Sequence, residues 1–202
     1  MNFKKELKNP ICNNNIGFLE TNKSMYSIND RFEDEGNDTI LLYSVSDPHS
    51  EAYEYFLENG ANTDLTNDDG EGILHAIIYA NDMIRLMKIA KYQLNINHQA
   101  NDSSTALLLA ISLGRFDLAK SLIKLGADVN IANNDGITPL HLAVQQPVLA
   151  IVKILFDAGS NVFLKTKQGN LPLALAVNAE FHVVIRFVYD KVYKKNDFLS
   201  VN

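Results

Sequence analysis

A 33-residue period runs through most of the chain and constrains its fold more than any other feature. Residues 134–144 read NDGITPLHLAV, 101–111 read NDSSTALLLAI, and 68–78 read DDGEGILHAII. The series continues with EGNDTILLYSV at 35–45 and KQGNLPLALAV at 167–177. The far end of the unit keeps the same register, with GANTD at 60–64, QLNIN at 93–97, GADVN at 126–130 and GSNVF at 159–163. Prolines give an independent check. Pro139 and Pro172 share one position of the unit and Pro48 and Pro147 another, so four of the five prolines occupy two positions. Self-similarity at a fixed period of this length marks a repeat array, in which each unit packs only on its neighbours.

Each recurring residue has a physical reason. Thr39, Thr105 and Thr138 stand where a helix should begin, and their hydroxyls can accept from an orphan N–H of the first turn. Pro139 and Pro172 follow at the first helical position, where a missing N–H costs nothing. The first helix is short and apolar, as in Thr105–Leu113, and is broken at Gly114, Pro147 or Pro48. A second helix follows, as in Phe116–Leu125, with Leu118, Ala119, Leu122 and Ile123 at helical spacing. Gly60, Gly126 and Gly159 end it in a left-handed turn. A segment rich in Asn, Asp and Gly leads into the next unit.

These residues resemble the ankyrin repeat, whose full pattern stands here as Asp135-Gly136-Ile137-Thr138-Pro139-Leu140-His141-Leu142-Ala143. The resemblance covers about 35–199 and implies an all-α solenoid of stacked helix-turn-helix units with protruding turns. The expected repeats are about 35–67, 68–100, 101–133, 134–166 and 167–199, forming a single continuous domain. Residues 1–34 read as a degenerate N-terminal capping unit. Its Asn15-Ile16-Gly17-Phe18-Leu19-Glu20 lies three periods before Gly114-Arg115-Phe116-Asp117-Leu118-Ala119, while Ser27-Ile28-Asn29-Asp30 fits the register poorly. Three departures stand out. Gln93-Leu94 replaces Gly-Ala, so a left-handed Gln93 would cost about 1 kcal/mol. Ser103 replaces the turn glycine. The last repeat has Ala174 for the histidine and ends in Lys191, Lys194 and Lys195, a polar end that suits a cap.

Charge narrows the partner. Residues 30–71 hold thirteen acids and one base, Arg31, a net of 1 - 13 = -12 against -6 for the whole chain. Such a segment repels nucleic acid and anionic membrane and suits a basic partner. No apolar run approaches the length of a membrane span, and MNFKKELKNPIC lacks the apolar core of a secretion signal, so a cytoplasmic protein is expected. Cys12 is the only cysteine, which excludes an intrachain disulfide and a thiolate zinc site.

The same residues give no basis for catalysis or a cofactor. His75 and His141 occupy one position two units apart, about 20 Å at helix-packing distances, and cannot share a metal. The resemblance makes this histidine structural. His49, His98 and His182 are expected in solvated turns or on outer helix faces. GxGxxG and GxxxxGK[ST] are absent, and Asp68-Asp69 and Glu33-Asp34-Glu35 lack the ligand spacing of a calcium loop. The chain is expected to be no enzyme and to need no cofactor or metal.

The resemblance implies binding through turn tips and the concave face formed with the first helices. Carried over by position, the candidate residues are Glu35, Asp38, Tyr43, Ser46 and Asp47 in the first repeat. Asp68, Asp69, Glu71, Tyr79 and Ala80 follow in the second, then Asn101, Asp102, Ser104, Ser112 and Leu113. The fourth supplies Asn134, Asp135, Ile137, Gln145 and Gln146, and the fifth Lys167, Gln168, Asn170 and Asn178. Acids with tyrosine among them make repeats 1 and 2 the expected docking patch for a basic protein, bound by a chain that is a monomer on its own. A bacterial immunity protein that neutralises a toxin and a secreted effector that binds a host protein are the alternatives. The Asn/Ile/Lys-leaning composition suits an AT-rich bacterial or viral genome.

Overall fold

The computed structural model describes residues 3–193 except Glu35 and Pro48, so Lys194 and Lys195 lie outside the described residues. It divides into two compact units, Met1–Asn101 and Asp102–Asn202.

The first unit opens with α1 (Phe3–Cys12) and α2 (Ile16–Thr21), followed by a short 3-10 turn at Lys23–Met25. Leu7, Ile11 and Leu19 are fully buried and supply its apolar contacts. Strands β1 (Arg31–Phe32) and β2 (Asp38–Thr39) form a two-residue antiparallel hairpin, with Arg31 opposite Thr39 and Phe32 opposite Asp38. Two helix pairs follow: α3 (Ile40–Ser46) with α4 (Ala52–Glu58), and α5 (Ile73–Ala80) with α6 (Met83–Ile89). α3 packs on both α4 and α5, so one apolar helix serves its own pair and the next.

The second unit holds α7 (Ala106–Ser112) with α8 (Phe116–Lys124), α9 (Pro139–Ala143) with α10 (Leu149–Asp157), and α11 (Pro172–Asn178) with α12 (His182–Tyr193). First helices stack as α7–α9–α11 and second helices as α8–α10–α12. The fold is therefore the all-α helix-pair array that the resemblance implies. Its core comes from recurring positions: Leu107, Ala110 and Ile111 of α7, Leu118 and Leu122 of α8, Ile151 and Leu155 of α10, and Val184 and Val188 of α12 are all buried.

The local signals act as their chemistry dictates. Thr39, Thr105 and Thr138 cap their helices, accepting from the N–H groups of Leu42, Leu108 and His141. Pro139 and Pro172 occupy the first turns of α9 and α11. Gly60, Gly126 and Gly159 have φ of 82°, 96° and 89° at the ends of the second helices.

Three expectations are corrected. Gln93 is not left-handed. Without glycine at this position α6 stops early at Ile89 and turns through Ala90, with Tyr92 N–H donating to the Ile89 carbonyl at 2.9 Å, so the left-handed strain is avoided. In the N-terminal unit the left-handed turn residue is Asn14 (φ 54°), one residue before the Asn15 that the 99-residue alignment pairs with Gly114. Leu19 keeps the buried role of Leu118, so the slip is confined to the turn. His98 is half-buried rather than solvated; its Nε2 lies 2.7 Å from the Gly70 carbonyl oxygen, and its ring meets that of His75 edge-on at 5.9 Å. His49 and His182 are exposed.

Candidate protein-binding surface

The turns between helix pairs are folded by their own side chains. Asn67 Oδ1 accepts from the N–H groups of Asp69 (3.1 Å) and Glu71 (2.9 Å). Asn133 repeats this one position for another with Asp135 and Ile137, both at 3.0 Å. Thr166 Oγ1 accepts from Asn170 N–H at 3.2 Å. The third repeat has Ala100 there, and Asp102 takes over by accepting from Ser104 N–H at 2.8 Å. These Asx turns and the threonine turn close the tips of repeats 2 to 5 locally.

The tips are then tied to one another. In the first unit, Asp68 N–H donates to the Gly36 carbonyl and Asn101 N–H to the Asp69 carbonyl, both at 2.9 Å. In the second unit, Asn134 N–H donates to Asp102 and Lys167 N–H to Asp135, both at 2.8 Å. Side chains reinforce the ladder: Asn37 Nδ2 donates to Asp68 Oδ1 at 3.1 Å, and the Ser103 hydroxyl donates to Asn134 Oδ1 at 2.7 Å. A left-handed residue sits in every tip: Asn37, Gly70, Ser103, Gly136 and Gly169.

This framework determines where the candidate residues stand. Asp68, Asp69, Asn101, Asp102, Asn134 and Asp135 are exposed on the tips. Their backbones are occupied by the ladder, and the side chains of Asp68 and Asn134 also receive bonds from the preceding tip. Asp38 and Glu71 are half-buried at the base of the first two turns, and Glu35 lies outside the described residues. Tyr79, 53% exposed, donates its hydroxyl to Glu71 Oε1 at 2.7 Å. Asp38, Glu71 and Tyr79 line one recess of about 150 Å3 together with Leu42, Ser46 and Ala76.

Two candidates stand apart from that recess. Tyr43 is half-buried against the N-terminal elements, with its ring 4.8 Å from that of Phe32, its hydroxyl 3.7 Å from Cys12 Sγ, and Lys8 Nζ 5.4 Å from its centroid. Asp47 is engaged in the loop after α3, where Oδ1 accepts from His49 N–H at 2.8 Å. Burial works to raise its pKa, but hydrogen bonds from Cys12 and the His49 N–H, with the nearby charges of His49 and Arg85, hold it below the usual carboxylate value.

Not all of the acidic segment is uncompensated. Asp34 pairs with Lys8 at 3.2 Å and Glu54 pairs with Lys88, and these bonds lower both carboxyl pKa values. Of the other acids of the segment, Asp68 and Asp69 stand exposed on the second-repeat tip, with Asp38 and Glu71 half-buried at the recess behind it.

Among the described residues no group of three or more His, Cys, Asp or Glu side chains is placed to hold a metal ion. His141 has a structural setting. It is fully buried, its Nδ1 lies 2.7 Å from the Thr138 hydroxyl, and its Nε2 lies 3.1 Å from the Asn170 carbonyl. Among the described residues no helix is long and apolar enough to cross a membrane.

Sequence reasoning missed Arg85. It fills the position held by Leu118, Ile151 and Val184 elsewhere and is only 4% exposed. Its guanidinium donates to the carbonyls of Val45 and Ser50, both at 2.6 Å, pairs with Asp82 at 3.3 Å, and lies 5.2 Å from the Tyr53 ring centroid. The signal that could have found it was an arginine in a repeat position that is apolar in the other repeats, including Ala52 in the first.

Comparison with known proteins agrees with this architecture. A family model described as ankyrin repeats (3 copies) matches residues 41–133, and one described as ankyrin repeats (many copies) matches 127–176. Together they span 41–176, which is 176 - 41 + 1 = 136 of the 202 residues. An ankyrin repeat protein of Acanthamoeba polyphaga mimivirus is 28% identical over 96 residues, 48% of this chain and 12% of the relative. One from Fowlpox virus (strain NVSL) is 31% identical over 101 residues, 48% of this chain and 29% of the relative. The matched stretch is thus under a third of either relative's length. Both relatives are viral, and neither name assigns a role as an immunity protein or an effector.

Proposed function

Because the chain belongs to the ankyrin-repeat family, whose repeats mediate protein–protein interaction, we propose that it binds a partner protein with a basic surface through the acidic face of repeats 1 and 2. The repeats at 35–67 and 68–100 supply this face, and those at 101–133, 134–166 and 167–199 follow them in sequence. The observation that carries the reading is a division of labour on the second tip. There the backbone and Asn67 hold the turn, while the carboxylates of Asp68 and Asp69 stand exposed beside Glu71 and Tyr79. A rigid support with charge presented outward suits electrostatic steering, which acts mainly on association rate. Asn101 provides a polar rim contact in this reading, and catalysis, nucleic acid and membrane play no part.

The test has two stages. Partners are captured from lysate at low and high salt, and association of the purified partner is then timed with the native chain and with Asp38, Asp68, Asp69 and Glu71 changed to lysine. Association should slow by about tenfold or more, with a flatter or inverted salt dependence. Unchanged rates in the reversed variant would refute the acidic-face reading while leaving protein binding by other repeat surfaces open to the same assay.

A further inference from the structure

Three departures from the repeat pattern converge on one recess. At the fourth position of the first helix, repeats 3, 4 and 5 carry Leu109, Leu142 and Leu175, whereas α5 carries Ala76. The missing side chain opens a hollow beside Leu42 and Ser46 of α3. At the seventh position the other repeats carry Ser46, Ser112, Gln145 and Asn178, and α5 carries Tyr79. Ser46, Ser112 and Gln145 fold back on carbonyls of their own segments, but Tyr79 reaches its hydroxyl across to Glu71. At the turn position before the helix, the later repeats carry Ser104, Ile137 and Asn170, while the first two carry Asp38 and Glu71. Small floor, aromatic wall and acidic mouth therefore come together where α3 meets α5.

We infer that this recess is the anchor pocket for a single arginine side chain of the partner, with the guanidinium between the Tyr79 ring and the Glu71 and Asp38 carboxylates and the methylene stem against Leu42 and Ala76. This rests on the proposed acidic binding face and adds its specificity determinant. Charge complementarity selects a cation. The remaining features select arginine over lysine, because a planar guanidinium stacks on an aromatic face and forks to a carboxylate, which an ammonium cannot do. Glu71 is already oriented for this by the Tyr79 hydroxyl and its turn. The chain shows the same chemistry internally, where the Arg85 guanidinium lies by the Tyr53 ring and donates to two carbonyls.

The probe is the peptide acetyl-Gly-Gly-Arg-Gly-Gly-amide, titrated to millimolar concentration into isotopically labelled full chain and followed by backbone amide shifts. Saturable shifts centred on Gly72, Ala76 and Tyr79 are expected. A peptide with citrulline in place of arginine should bind at least about tenfold more weakly, the loss expected for removing a charge-assisted hydrogen bond. Ala76→Leu restores the residue of the later repeats, so it should keep or raise the unfolding temperature while abolishing the shifts. Tyr79→Ala should weaken binding more than Tyr79→Phe. Non-saturating shifts spread over all acidic tips, equal binding of citrulline or lysine peptides, or undiminished binding to Ala76→Leu would each overturn the pocket. If the peptide fails yet lysine substitutions at Asp68 and Asp69 still slow the partner's association, the pocket falls alone. If those substitutions change nothing, the wider face has failed.

Discussion

At the scale of single residues, backbone conformation separates substitutions of opposite sign. Gly70 has φ 74°, and a Cβ built there would lie 2.4 Å from Asn101 Oδ1 and 2.9 Å from its backbone nitrogen. Gly70→Ala therefore combines left-handed strain with collision against the neighbouring tip and should cost about 1–3 kcal/mol in urea unfolding. Glu180 is the converse case: it is exposed, with φ 58°, in the position that Gly114 fills with φ 68°. Glu180→Gly should gain about 1 kcal/mol in the same measurement. His141 makes stability depend on pH. Burial lowers its pKa below the usual 6.5, against the hydrogen bonds to the Asn170 and Leu164 carbonyls, which act to raise it. A group whose folded pKa is depressed favours the fold fully above the unfolded value. Its contribution is then lost as pH falls from about 6.5 through the lower folded pKa. Nuclear magnetic resonance should show His141 titrating below the usual histidine value, and the acid-side loss of stability should shrink in His141→Gln.

At the scale of elements, the short α6 and the loop after α3 are joined by Arg85. Its two bonds satisfy the carbonyls of Val45 and Ser50, and Asp82 both caps α6 at Arg85 N–H and pairs with the side chain. Arg85→Leu restores the apolar residue of the other repeats. Even so, it should destabilise the chain by about 2–4 kcal/mol, because two buried carbonyls lose their donors. A calorimetric midpoint equal to that of the native chain would show that the loop closes without the clamp. The helices themselves were legible because capping threonines, first-turn prolines and 3.6-residue apolar spacing are local signals. The end of α6 was not, since the pattern marks where glycine should stand but not how the chain turns when glutamine replaces it.

At the scale of the whole molecule, charge is the property that most distinguishes this chain from a generic repeat array. The 30–71 segment carries -12, Lys8 and Lys88 from outside it pair with Asp34 and Glu54, and Asp68 and Asp69 stand next to each other, exposed, on the second tip. Changing Asp68 and Asp69 together to Asn, which the third and fourth repeats carry at the first of these positions as Asn101 and Asn134, should stabilise the chain at low salt by about 0.5 kcal/mol. The gain should disappear near molar salt, where the Debye length is about 3 Å. Thermal unfolding across a salt series reads both effects.

The sequence alone determined the repeat, the helix pairs, the capping residues and the concentration of acids, because each is written in spacing or in a residue's own conformational preference. Only the tertiary structure decided that Lys8 and Lys88 pair with Asp34 and Glu54, that Tyr43 turns into the N-terminal elements while Tyr79 faces outward, and that His98 and Arg85 are bound inward. It also showed that Ala76 leaves a recess. These are outcomes of side chains from different repeats meeting across a few ångströms, and a 33-residue period states which positions are equivalent without stating what each side chain finds opposite it.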